Sequence, residues 1–137
     1  MENNCKKILV IDDEYDAREL MSDFLELRGY EVLMAENGKQ GIKRFKSENP
    51  DIVLCDLQMP ELDGLGVLKY IKQNSDDKPV IVISGTGVLQ DAIGALKLGA
   101  WDYLEKPMPN MEVLEFAVKR ALDKSTLLKE NKKYRIF

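Results

Sequence analysis

The chain predicts an α/β fold, a doubly wound parallel sheet of five strands in a (βα)5 order, and three observations carry that prediction. Val, Ile and Leu run together without alternation at residues 8–11, 52–55 and 80–83, the pattern of strands buried on both faces. Between such runs lie segments whose apolar residues recur at helical spacing. The connections are short, as they are in α/β units.

The first strand, residues 8–11, is followed by Ala17, Leu20, Met21, Phe24 and Leu27 on one helical stripe, with Gly29 as its stop. Residues 32–35 form the second strand. The helix after it, marked by Ile42 and Phe45, is weakened by Gly41, which costs roughly 1 kcal/mol relative to Ala. Asn49 and Pro50 close it. After the third strand, residues 52–55, Asp63 and Gly64 introduce a helix carrying Leu65, Leu68 and Ile71. After the fourth, residues 80–83, Ala92, Ile93 and Leu96 form a core stripe that ends before Gly99. The fifth strand is residues 101–104, and the fifth helix starts near Asn110, a residue type suited to an N-cap, then packs Leu114, Ala117, Val118 and Ala121. It has no stop signal. Leu127, Leu128, Asn131 and Tyr134 continue the pattern, although one or two heptads do not make a coiled coil. The expected organisation is one domain at residues 1–122, with residues 123–137 a helical extension or a linker toward an output domain.

With 137 residues, 45% hydrophobic and 32% charged, the chain has the composition of one soluble domain with a core. No apolar run approaches the roughly 20 residues that cross a bilayer, and the leader up to Lys7 lacks the apolar region of a signal peptide. A cytoplasmic protein with no membrane partner is therefore expected. Cys5 sits in a polar leader and Cys55 at the end of a buried run, so no disulfide is expected between them. The absence of histidine excludes a His general base, a His metal ligand and a phosphohistidine carrier within this chain. The net charge of −4 conceals an asymmetry, +5 over residues 119–137 against −9 over residues 1–118. An acidic body argues against direct nucleic-acid binding.

The chemistry collects at the carboxyl ends of the strands, where open parallel sheets place their ligands. Asp12 and Asp13 follow the first strand, Asp56 the third, Ser84 the fourth, and Glu105, Lys106 and Pro107 the fifth. Converging carboxylates repel one another unless a cation joins them or a proton stays bound. A hard divalent cation is the simplest answer, and Mg2+ suits it because it takes oxygen ligands and combines one or two carboxylates with substrate phosphate. Asp13 and Asp56 fit as direct ligands. Lys106, on backbone stiffened by Pro107, adds a second positive charge, so metal and lysine together can neutralise a phosphoryl group in transfer. A carboxylate can itself be the nucleophile, and Asp56, alone at its strand end, is the candidate. The Ser84 hydroxyl can donate to a phosphoryl oxygen. Singly these signals are ordinary: an Asp after a strand is usually a cap or a solvated turn, Ser84 a capping hydroxyl, Lys-Pro a loop and Tyr103 a packing aromatic. Their joint occurrence in order is what carries weight.

Through ILVIDDE, DIVLCDLQMPELDG, VIVISG and GAWDYLEKP, residues 6–122 resemble the receiver domain of bacterial two-component response regulators, the CheY-like superfamily. The resemblance implies a flavodoxin-like sheet with strand order 2-1-3-4-5. It implies Asp56 as phosphoacceptor, and a metal site of Asp12, Asp13, Asp56 and the Gln58 backbone carbonyl that holds Mg2+, with Mn2+ as a substitute. Lys106 and Ser84 would contact the phosphate, and Ser84 and Tyr103 would be the switch pair. Gln58, Gly85 and Thr86 would set phosphate lifetime and access, Gly85 leaving access open to bulky donors. The family more often has threonine where Ser84 stands. By the same resemblance the partner is a sensor histidine kinase or phosphotransfer protein, and the chain is a signalling phosphoacceptor that assists its own phosphorylation and dephosphorylation. The fourth helix, fifth strand and fifth helix would form the surface that controls an output, and either that surface or the C-terminal helix would support a homodimer. Three rivals stand beside this reading. One is a receiver-like docking adaptor that works without phosphorylation. Another is a Mg2+-dependent phosphatase, which would want an Asp at the position of Gln58. The last is a flavin module, which would want a phosphate-cradling loop after the first strand.

Overall fold

A computed structural model describes residues 5–59 and 62–134, with side chains through Asn131. Strands β1 (Lys7–Ile11), β2 (Glu31–Ala35), β3 (Ile52–Asp56), β4 (Val80–Ser84) and β5 (Asp102–Glu105) alternate with helices α1 (Tyr15–Leu27), α2 (Gly38–Glu48), α3 (Gly64–Asn74), α4 (Leu89–Lys97) and α5 (Glu112–Tyr134). All pairings are parallel, and the sheet order is β2-β1-β3-β4-β5, as the resemblance implied.

Alternate residues of each central strand point to opposite faces, which is why the strands read as unbroken apolar runs. Ile8, Val10, Ile52, Leu54, Ile81 and Ile83 pack with Met21 and Leu25 of α1 and with Leu114, Ala117 and Val118 of α5. Leu9, Ile11, Val53, Cys55, Val80 and Val82 pack on the other side with Phe45 of α2, Val67, Leu68 and Ile71 of α3, and Ala95 of α4. The chain crosses over at β1, whose two neighbours are β2 and β3, and the crevice above that point is where Asp12 and Asp56 emerge.

Several elements differ from the sequence expectation. β3 and β4 each run one residue further, taking Asp56 and Ser84 into the ladder, because strand pairing is a backbone property that does not stop at the first polar side chain. β5 starts at Asp102 rather than at residue 101, and it is only half-buried because it pairs on one side. The Trp101 backbone N–H still reaches the Val80 carbonyl at 2.8 Å, while the ammonium groups of Lys72 and Lys124 lie over its ring, 5.7 and 4.7 Å from the centroid. In α1 the buried stripe is Met21, Ser22 and Leu25, whereas Leu20 and Leu27 are 58% and 85% exposed. In α4 only Ala95 is fully buried and Leu96 faces outward, so the expected stripe of Ala92, Ile93 and Leu96 is rotated by about one residue.

Gly41 is no weak point. A Cβ there would stand 2.4 Å from Ile11 Cδ1, so the missing side chain is what lets α2 lie close on β1. Asn37 caps α2 by accepting from the Gln40 N–H at 2.8 Å, and Asn49 ends it in the left-handed conformation that asparagine tolerates. Asn110 accepts from the Val113 N–H at 3.3 Å at the start of α5. That helix has 23 residues, about 35 Å at 1.5 Å per residue, and it buries Leu114, Ala117, Val118, Ala121 and Ser125. Past Ser125 the face of Leu127 and Leu128 is exposed, and the side chain of Tyr134 lies outside the described residues. Among the described residues no helix is long and apolar enough to cross a membrane.

Candidate functional site

The carboxyl ends of β1, β3, β4 and β5 meet at one rim. Asp12 follows β1 directly and is held there by its N–H bond to the Ala35 carbonyl, 3.1 Å, so the β1–β2 pairing extends one step into the site. Its carboxylate is fully buried and has both oxygens occupied: Oδ1 accepts from the Glu14 N–H at 2.9 Å and Oδ2 from Lys106 Nζ at 2.8 Å. Asp13 is exposed beside it. Asp56 ends β3, buried, with Leu57 pinned beyond it by an N–H bond of 2.9 Å to the Ile83 carbonyl. One carboxylate oxygen each from Asp12, Asp13 and Asp56 falls within 4.8 Å of the others.

Lys106 leaves β5 with its backbone N–H bonded to the Ser84 carbonyl at 2.9 Å, and its ammonium group reaches across the rim. Beyond its 2.8 Å contact with Asp12, it stands 3.6 Å from Asp56 Oδ2 and 3.8 Å from Glu14 Oε1. Burial pulls this ammonium down, but the Asp12 hydrogen bond and the surrounding carboxylates more than offset it and leave its pKa above the ordinary lysine value. Asp56 is pushed up to about 6 by burial first and then by Asp12, with a smaller push from Asp13; Lys106 and the Gln58 backbone N–H pull the other way. One ammonium therefore does not neutralise three carboxylates, and the shortfall is of the size a divalent cation supplies. The donors are all oxygen, two of the carboxylates are buried and the third is open to water. That set suits a hard cation such as Mg2+, which keeps part of its hydration shell. Beside the acid, burial raises the Cys55 thiol far above its usual pKa, so it stays protonated and unreactive.

Ser84 is fully buried at the end of β4. Its hydroxyl donates to Thr86 Oγ1 at 3.3 Å and accepts from the Thr86 N–H at 3.2 Å. Tyr103, in the middle of β5, packs against the cluster that contains Ala95, and its buried hydroxyl has no hydrogen-bond partner among the described residues. Gln58 is exposed and lines a cavity of about 320 Å3 with Asp63, Leu65 and Asp91. A Cβ on Gly85 would meet only Lys106 Cβ, at 3.7 Å, so that position has room for a side chain over the lysine stem. Apart from Tyr103, which lies within β5, the residues singled out from sequence thus lie at one end of the sheet. Three further contributors were not singled out: Glu14, which adds charge beside Lys106; Arg18, whose Nη1 holds the Asp12 carbonyl at 2.9 Å; and Asp91. Glu14 was visible as the third acid of ILVIDDE, whereas the other two depend on how α1 and α4 are rotated.

A second feature adjoins the rim. Ala17, Leu20, Met21, Pro107, Met108 and Met111 line an apolar groove of about 430 Å3 between α1 and the segment after Lys106.

Residues 8–119 match the model of the response regulator receiver domain. Among curated proteins the chain is 38% identical over 131 residues to the probable transcriptional regulator ycf27 of Porphyra purpurea, covering 96% of this chain and 53% of that protein. It is 36% identical over 124 residues to the regulatory protein AtoC of Escherichia coli, covering 90% and 27%. The chain thus spans about half or less of the length of these relatives. Among solved structures, a response regulator receiver domain protein from Clostridium thermocellum superposes with a TM-score of 0.85 at 38% identity, covering 90% of this chain and 98% of that one. NtrX from Brucella abortus in complex with ADP gives 0.91 at 33% identity, covering 97% and 30%. With its sheet order, acidic rim and family match in agreement, the chain belongs to the response regulator receiver domains, the phosphoacceptor modules of two-component signalling.

Proposed function

We propose that Asp56 is the phosphoacceptor of this receiver and takes its phosphoryl group from the phosphohistidine of a sensor kinase or phosphotransfer protein in the cytoplasm. An Asp56 carboxylate oxygen attacks phosphorus as the donor's N–P bond breaks, so an acyl phosphate forms and the imidazole leaves. The observation that carries this reading is the gathering of three carboxylate oxygens within 4.8 Å of one another, with the Lys106 ammonium group 2.8 Å from Asp12 and 3.6 Å from Asp56. Asp12, Asp13, Asp56 and the Gln58 carbonyl would hold Mg2+, or Mn2+ in its place, and the bound cation would supply neutralisation of the transferred oxygens.

The chain's own groups do the rest. Lys106 is positioned to follow the phosphoryl charge as it develops beside Asp56, Ser84 offers a hydroxyl donor, and Gln58, Gly85 and Thr86 flank the path of attacking water or donor. These groups serve the acyl phosphate's formation and its hydrolysis alike. The apolar groove beside Pro107 and Met108 suits a helix of the phosphodonor, laid so that its histidine reaches the rim. Charge on Asp56 would draw on Ser84 and Tyr103 and bias the α4–β5–α5 surface toward an output, with a homodimer through that surface or through the end of α5. Residues 123–137 would then serve as a helical extension or a linker toward an output domain, with the stretch up to Ser125 still packed on the receiver.

Labelling with a radioactive small-molecule phosphodonor in Mg2+ tests the assignment. Asp56→Asn should abolish incorporation, and label retained at the unsubstituted level would overturn it.

A further inference from the structure

Thr86 sits at the centre of a saturated hydrogen-bond chain. Its Oγ1 accepts from the Val88 N–H at 3.1 Å and from Ser84 Oγ at 3.3 Å, and it donates to Asp91 Oδ2 at 2.9 Å. A hydroxyl has one proton and two lone pairs, so every capacity of Thr86 Oγ1 is used. The Asp91 carboxylate accepts only, which commits the Thr86 proton to it, and a charge-assisted bond is the stronger of the two alternatives open to that proton. With the Thr86 proton so committed, Ser84 can bond to Thr86 Oγ1 only by giving its own proton. That same proton is the one Ser84 would need for a phosphoryl oxygen on Asp56.

We propose that Asp91, in the first turn of α4, is a positioning residue that fixes the direction of this chain and so restrains Ser84 from serving the phosphorylated acceptor. The proposal rests on the phosphoacceptor reading of Asp56. Occupying the acceptor then requires Ser84 to release Thr86, and the longest bond of the chain, at 3.3 Å, is the one that yields. Because Asp91 belongs to α4 while Ser84 ends β4, the release also loosens the tie between the site and the first turn of α4. Without Asp91, the Thr86 hydroxyl can turn and donate to Ser84 Oγ, and the Ser84 proton is free before any phosphate arrives.

The test is calorimetric titration of beryllofluoride, a phosphoryl mimic, in saturating Mg2+. The unsubstituted chain should bind it, and Asp91→Ala should bind about fivefold more tightly, the factor that corresponds to one neutral hydrogen bond no longer surrendered. Asp91→Asn, whose amide oxygen accepts from the same hydroxyl, should return most of the way to the unsubstituted affinity. Thr86→Val, which removes the acceptor together with its bonds to Asp91 and the Val88 N–H, should shift affinity in the same direction, and Asp91→Ala added to it should change nothing more. An Asp91→Ala protein of native helix content with unchanged or weaker affinity overturns the proposal, as does an equal gain in the Thr86→Val background. No binding by the unsubstituted chain would instead bring down the phosphoacceptor reading itself.

Discussion

Lys106 illustrates how one side chain serves two opposed ends. Its ammonium group is the cation of the buried Asp12 carboxylate, 2.8 Å away, and it also competes for the charge that a metal would neutralise. Lys106→Ala should therefore destabilise the metal-free protein by about 3 kcal/mol, since it leaves a buried carboxylate without its partner. It should also tighten Mg2+ binding, because a positive charge has been taken from the site. Phosphoryl uptake should fall at least tenfold despite the better-held metal. Urea denaturation, Mg2+ titration and small-donor labelling read the three effects, and weakened Mg2+ binding would contradict this electrostatic account. Gly85 offers a steric test at the same scale. The space above Lys106 Cβ would accept a valine side chain, so Gly85→Val should slow phosphorylation by a small donor several-fold, and an unchanged rate would show that this position does not govern access. The strand-end residues Asp12, Asp13, Asp56, Ser84 and Lys106 were legible because a strand places its last side chain by local geometry alone. Arg18 and Asp91 were not, because a helical residue reaches the rim only through the rotation its helix takes on the sheet.

Helix rotation also accounts for the misread stripes. Leu20 has the right spacing for the α1 core, but α1 turns Met21 and Leu25 inward and leaves Leu20 at the groove beside Pro107. Apolar periodicity identifies a face, and a leucine used for a partner surface is indistinguishable in sequence from one used for the core. Gly41 was misread in the opposite sense. Helix propensity alone makes Gly41→Ala stabilising by roughly 1 kcal/mol. The 2.4 Å approach to Ile11, a fully buried β-branched side chain with little room to turn, reverses the sign, and the expected result is destabilisation by about 1–2 kcal/mol. Equilibrium denaturation decides between propensity and packing. At the other end of the fold, α5 runs past its buried face after Ser125, so its last turns owe little to the core. Deleting residues 127–137 should change unfolding free energy by no more than about 0.5 kcal/mol, the range of surface changes. Leu114→Ala, in the buried half of the same helix, should cost about 2–5 kcal/mol.

For the molecule as a whole, the acidic rim makes stability depend on pH in a direction opposite to that of a paired carboxylate. Folding lifts Asp56 from the ordinary carboxylate value of 3.8 to about 6, so between those values the folded chain holds a proton that the unfolded chain has released. Stability from this group is complete below the unfolded pKa and is lost as pH rises through about 6. Asp56→Asn removes the repulsion, and in the absence of divalent cations it should be more stable than the unsubstituted chain by about 1–2 kcal/mol at pH 7.5, with the difference vanishing near pH 4. Mg2+ should invert the comparison. By binding the ionised rim of the folded state it would stabilise by mass action, and its effect on the unsubstituted chain should grow as pH rises through about 6. With one of the three carboxylates gone, Asp56→Asn should gain much less from the metal. Thermal unfolding at pH 4, 6 and 7.5, with chelator or with millimolar Mg2+, separates these contributions. A metal-independent stability difference that persists at pH 4 would mean that packing, not charge, distinguishes the two proteins.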